Sequence, residues 1–61
     1  MMPIIRLELV PGRTPEQKSD FAREVTRVAA ETLNCKPESL DVVITEVPKT
    51  HWAKGGKLLG E

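Results

Sequence analysis

A chain of 61 residues with one cysteine and one histidine has nothing with which to staple itself together. A chain this short buries only about 60% of the surface its unfolded form exposes, and domains of that size lean on disulfides, metals or partner subunits. Cys35 has no second cysteine to pair with, and one Cys with His51 falls short of the four ligands of a structural zinc site, so no metal is expected. Association with further copies of the chain is the route left open.

Charge narrows the partners. Nine basic residues balance nine acidic ones, which argues against nucleic acid or an anionic membrane as a partner. No apolar run is long enough to span a bilayer, and Met1-Met2-Pro3-Ile4-Ile5-Arg6 lacks the basic start and apolar stretch of a signal peptide. With a lone thiol, this predicts a cytoplasmic protein. Cys35 has no base nearby in sequence and reads as a passive residue at a helix end.

The pattern along the chain predicts a strand, a long helix, a strand and a hairpin. Residues 3–10 alternate, with Ile5, Leu7 and Leu9 on one face and Arg6 and Glu8 on the other, and Pro11-Gly12 stops the run. Thr14 is a good N-cap, Pro15 suits the first helical position and Gln17 completes a capping box. Phe21, Val25, Val28, Ala29 and Leu33 recur at helical spacing as the packed face. Asp20, Arg23, Glu24, Arg27 and Glu31 form a solvated charged face, and Asn34 ends the helix. After a turn at Lys36–Ser39, residues 40–47 are β-branched and apolar on both faces, which predicts a buried strand closed by Pro48. The tail carries His51 and a Gly55-Gly56 turn signal and reads as a short hairpin. A crossover helix makes the two main strands parallel. One helix covers one sheet face, so the other face and both sheet edges need partners.

No Ser-His-Asp pattern, phosphate loop or metal cluster is present, and the glycines are turn glycines. What stands out is a proline at the start, Arg13 just after the first strand and Trp52 near the end. Pro3-Ile4-Ile5, Gly12-Arg13-Thr14-Pro15-Glu16-Gln17-Lys18, Val43-Ile44-Thr45-Glu46, His51-Trp52 and Gly55-Gly56 together resemble the short, 60-residue subgroup of the 4-oxalocrotonate tautomerase family, without gaps from Pro3 onward. The resemblance implies an α+β fold: a single tautomerase-like domain over residues 1–61, built as a β-α-β subunit with a C-terminal β-hairpin. It also implies a homo-oligomer, usually a hexamer made as a trimer of dimers, with active sites at subunit interfaces. The family's amino-terminal proline moves a proton between carbon and oxygen of a small enol or dienol acid, without a cofactor. By position the base is Pro3, the carboxylate-binding arginine is Arg13, the pocket aromatic is Trp52, and Ser39 sits near the pocket.

Elementary chemistry agrees with these roles. A base for carbon acids works best when it titrates near the working pH, and an α-amino group does so at roughly 7.7–8.0. A nearby guanidinium and an apolar wall both disfavour the protonated amine. A guanidinium also grips a carboxylate through two parallel hydrogen bonds.

Two positions depart from the family's pattern. Met1 and Met2 precede Pro3, and a proline within the chain is an amide without a basic lone pair, so the mechanism requires both methionines to be removed. Without that, Pro3 is a strand-starting proline and the protein a non-enzymatic oligomeric module. Asp41 stands where the family's second arginine falls, which reverses the local charge and weakens the case for a diacid substrate. Asp41 is either a surface residue at a strand start or a carboxylate that orients water, as in relatives that hydrate or dehalogenate unsaturated acids. Arg6 is a second cation that either reaches the site, faces solvent or pairs subunits. Ser39 also fits a plain turn role.

Overall fold

The computed structural model describes residues 2–61; the expectation that Met1 is removed falls on a residue outside them. Strand β1 spans Ile4–Leu9, helix α1 Pro15–Leu33 and strand β2 Asp41–Glu46, followed by the short strands β3, Ala53–Lys54, and β4, Lys57–Leu58. β1 and β2 pair in parallel, from Ile4 beside Asp41 to Leu9 beside Glu46, and β3 and β4 form the antiparallel hairpin.

The local signals act where the sequence places them. The Thr14 hydroxyl accepts from the Gln17 N–H at 3.1 Å, and the Gln17 carboxamide oxygen accepts from the Thr14 N–H at 3.0 Å. These bonds satisfy two of the amide donors that a helix leaves free at its start. Replacing Thr14 by alanine is therefore expected to lower unfolding free energy by about 1 kcal/mol, with Thr14→Ser recovering most of it, in urea titrations at fixed protein concentration. At the other end Asn34 adopts φ 55°, ψ 52°, the left-handed cap. Gly55 and Gly56 sit at φ 62° and 84°, the signature of a two-residue hairpin turn. His51 differs from its expected place in the hairpin: it closes a single 3-10 turn, Lys49–His51, and its N–H donates to the Pro48 carbonyl at 2.8 Å. Pro48 sets the φ that starts such a turn.

Register sorts the side chains onto two sheet faces. Ile5, Leu7, Leu9, Val42 and Ile44 lie half-buried on the face that α1 covers, and Ile4, Arg6, Glu8, Asp41, Val43 and Thr45 are exposed on the other. β2 is thus not the doubly buried strand that its composition predicts, because within one chain no second layer covers its outer face. The helix differs as well. Val25, Ala29 and Ala30 turn inward while Phe21, Val28 and Leu33 are exposed. The small Ala29 and Ala30 side chains let the helix lie close over the sheet, and its apolar stripe is wider than two strands can cover.

The chain is incomplete by itself. Among the described residues only Ala30 and Leu40 are buried, and no large side chain is fully enclosed. The accessible surface is 4888 Å², against about 4,000 Å² for a compact monomer of this mass. The radius of gyration is 14.5 Å, against about 10.5 Å for a compact 61-residue domain. No helix among the described residues is long and apolar enough to cross a membrane.

Candidate active site

The parallel sheet has two ends, and the candidate residues divide between them. Pro3 and Asp41 lie together at the end where both strands begin, and the Asp41 N–H donates to the Pro3 carbonyl at 3.1 Å. Pro3 is half-buried, whereas Met2 is 75% exposed, so detaching the residue ahead of Pro3 costs little packing. Asp41 is exposed beside Ile4. Ser39 precedes the buried Leu40 at the same end, but its hydroxyl donates to the Lys36 carbonyl at 2.8 Å, which closes the turn before β2.

Arg13 follows the opposite end of β1. Gly12, at φ 135°, reverses the chain there, in a conformation that residues with a side chain rarely adopt. A groove of about 370 Å³ opens beside Arg13, lined by Leu7, Leu9, Arg13, Gln17, Lys18 and Phe21. Its floor is apolar and its rim cationic. Lys18 is engaged by Glu46 at 2.7 Å, whereas Arg13 has no ion pair or side-chain hydrogen bond among the described residues. The start of α1 adds the positive end of the helix dipole next to that free guanidinium. Trp52 follows the end of β2, half-buried, with its carbonyl accepting from the Leu59 N–H at 2.9 Å.

Pro3 and Arg13 of one chain are therefore separated by the length of β1. At about 3.3 Å per residue, Pro3 and Leu9 lie roughly 20 Å apart. No side chain bridges that gap, and charges at that separation are screened by physiological salt. In the sequence Leu7, Leu9, Gln17 and Phe21 read as strand-face, capping and helix-packing residues and not as the lining of a groove. The parity of β1 and the i, i+4 spacing of Gln17 and Phe21 are the signals that identify them. Among the described residues, no three His, Cys, Asp or Glu side chains are grouped to hold a metal ion.

The comparisons with known proteins decide the family. The profile described as "Tautomerase enzyme" matches residues 3–61. The chain belongs to the tautomerase family. It is 43% identical over 56 residues to the 2-hydroxymuconate tautomerase of Pseudomonas sp. (strain CF600), covering 92% of this chain and 89% of that one. Its fold superposes on YwhB, a homologue of 4-oxalocrotonate tautomerase, with a TM-score of 0.93 at 36% identity, covering 97% of each chain. A heterohexameric 4-oxalocrotonate tautomerase from Chloroflexus aurantiacus J-10-fl superposes with a TM-score of 0.89 at 34% identity, covering all of this chain and 97% of that one. The expected α+β tautomerase fold is thus the one observed, and the family is one of isomerases.

Proposed function

We propose that this tautomerase interconverts enol and keto forms of a small unsaturated 2-hydroxy or 2-oxo acid, with the amine of a mature amino-terminal Pro3 as the proton carrier. The observation that carries the reading is the family match beginning at Pro3, the residue whose amine the chemistry needs. Deprotonated, that amine takes the enol hydroxyl proton as a general base; protonated, it returns a proton to carbon. The net reaction moves one proton and needs no cofactor. Arg13 holds the substrate carboxylate through two charge-assisted hydrogen bonds, helped by the helix dipole beside it. Trp52 supplies an apolar wall that excludes water.

Since Pro3 and Arg13 of one chain stand at opposite ends of β1, the site draws them from different subunits. A homo-oligomer follows, and a hexamer built as a trimer of dimers suits a relative of the heterohexameric enzyme. Exposed Ile4, Val43, Phe21, Val28 and Leu33 supply apolar surface for such contacts.

Protein that begins at Pro3, verified by mass, is expected to ketonise 2-hydroxymuconate or phenylenolpyruvate; no turnover of either would reject the reading. Asp41 supports a second one, because its backbone N–H binds Pro3 and its carboxylate is exposed at the same end of the sheet. There Asp41 orients water and a protonated Pro3 acts as acid in hydration or dehalogenation of an unsaturated acid. Asp41→Asn separates the two. Tautomerisation is expected to continue within about threefold, whereas loss of general-base assistance to water would cost about 10²-fold or more.

A further inference from the structure

One ion pair of the chain differs from the rest. Asp20, Arg23, Glu24, Arg27 and Glu31 pair along the outer face of α1, with every side chain 56% exposed or more. Lys18 and Glu46 are 28% and 38% exposed, meet at 2.7 Å and, among the described residues, form the one pair that joins two elements. Backbone parity places them there. Val42 and Ile44 face α1 and Glu46 is next in that series, so a carboxylate ends the apolar face of β2. It stands beside Leu9 in the parallel register, at the edge of the groove next to Arg13. A carboxylate in that position is stabilised by a cation, and Lys18 supplies it.

Charge in the groove then limits what it accepts. Arg13 and Lys18 are the two cations of its lining. Arg13 precedes the cap of α1, and Lys18 follows one turn later, its N–H donating to the Thr14 carbonyl at 3.1 Å. Gln17 between them is neutral, and Glu16, the acidic residue of the first turn, does not line the groove. Two free cations would receive two carboxylates. With Glu46 on Lys18, the net charge left is that of one guanidinium. A second carboxylate would have to displace Glu46 and then lie close to it, like charge beside like charge. Leu7, Leu9 and Phe21 meanwhile offer apolar surface to the rest of the ligand.

We infer that Glu46 determines specificity: by occupying Lys18 it restricts the groove to acids with one carboxylate and an apolar tail, and turns away dicarboxylates. Glu46 acts through Lys18, as the residue that decides whether a second cation is available. This names the substrate class of the site proposed above and rests on that assignment of the groove.

The test is binding without turnover. Hexanoate and adipate each have six carbons and differ in the second carboxylate. Each is titrated into the full chain at low salt, and affinity is read from the amide resonances of Gly12, Arg13 and Lys18. The parent is expected to bind hexanoate at least about threefold more tightly than adipate. Glu46→Gln keeps the side chain's shape and frees Lys18, and is expected to shift the ratio toward adipate by about fivefold or more. Lys18→Gln breaks the same ion pair but leaves the Glu46 charge facing the ligand, so it is expected to move the ratio the other way. The double variant restores a single net cation and is expected to return the ratio close to that of the parent. Loosening of the fold would act alike in both single variants, so opposite signs separate charge from structure. A parent that prefers adipate, a Glu46→Gln ratio equal to the parent's, or shifts of the same sign in both single variants would each overturn the inference. So would the absence of any change at Gly12, Arg13 and Lys18 with either acid. Failure to turn over phenylenolpyruvate and 2-hydroxymuconate alike, while these ratios hold, would instead count against the proposed reaction.

Discussion

Protein that begins at Pro3 is expected to turn over an enol acid about 10²–10⁴ times faster than the same chain retaining Met2, the range that a positioned general acid–base contributes. The cause is one bond. With Met2 attached, the Pro3 nitrogen is an amide whose lone pair is delocalised into the carbonyl; without it, the nitrogen is a secondary amine. Little else changes, because Met2 is 75% exposed and contributes little packing. The Pro3 carbonyl still accepts from Asp41 in either form, so assembly and thermal unfolding of the two proteins are expected to agree. Equal rates from two preparations whose masses differ by Met2 would remove Pro3 from the chemistry. A slower protein that is also less assembled would attribute the loss to structure.

The second large effect falls on Arg13. Arg13→Ala is expected to lower kcat/KM by about 10²-fold, the loss of two hydrogen bonds to a charged group at roughly 1.5–3 kcal/mol each, part of which water recovers. Arg13→Lys keeps the charge without the planar fork and is expected to fall between. The groove beside Arg13 is otherwise floored by Leu7, Leu9 and Phe21, and its other cation, Lys18, is paired with Glu46. A stronger outcome follows from the separation of Pro3 and Arg13. Chains that retain Met2 and chains carrying Arg13→Ala are each nearly inactive alone. Mixed after dissociation, they are expected to regain about a quarter of full activity, since half the random pairs are mixed and each mixed pair holds one intact site. No recovery on mixing, with exchange shown by mass, would place both groups in one subunit and contradict the geometry of β1.

The elements were legible because their signals are local. Thr14, Pro15 and Gln17 start α1 and Asn34 ends it through contacts that span a single turn. Alternation in residues 4–9 marks β1, and Gly55-Gly56 marks the hairpin. Features that depend on what lies across the chain were less legible. Helical periodicity places Phe21, Val28 and Leu33 on an apolar stripe but does not say whether this chain or another covers them, and here they are exposed. The apolar composition of β2 suggests burial on both faces, yet a single helix covers only one. His51 lies in a turn that Pro48 starts, a conformation that the nearby glycine signal obscures.

The site divides along the same line. Pro3, Arg13 and Trp52 stand out as residues, but their sequence positions do not show that β1 holds the first two apart. Family position puts Ser39 near the pocket and its residue type suits a turn; its hydroxyl closes the turn at Lys36. Asp41 touches Pro3 through its backbone, a contact that only the parallel register of β1 and β2 creates.

Labelling of the Pro3 amine tests the central claim most directly. Protein that begins at Pro3 is treated with a small haloacid such as 3-bromopyruvate, and turnover is followed beside peptide mass. Loss of activity in proportion to a single adduct on the amino-terminal peptide, with protection by substrate, is the predicted result. Full turnover from protein whose Pro3 nitrogen is completely alkylated would contradict it.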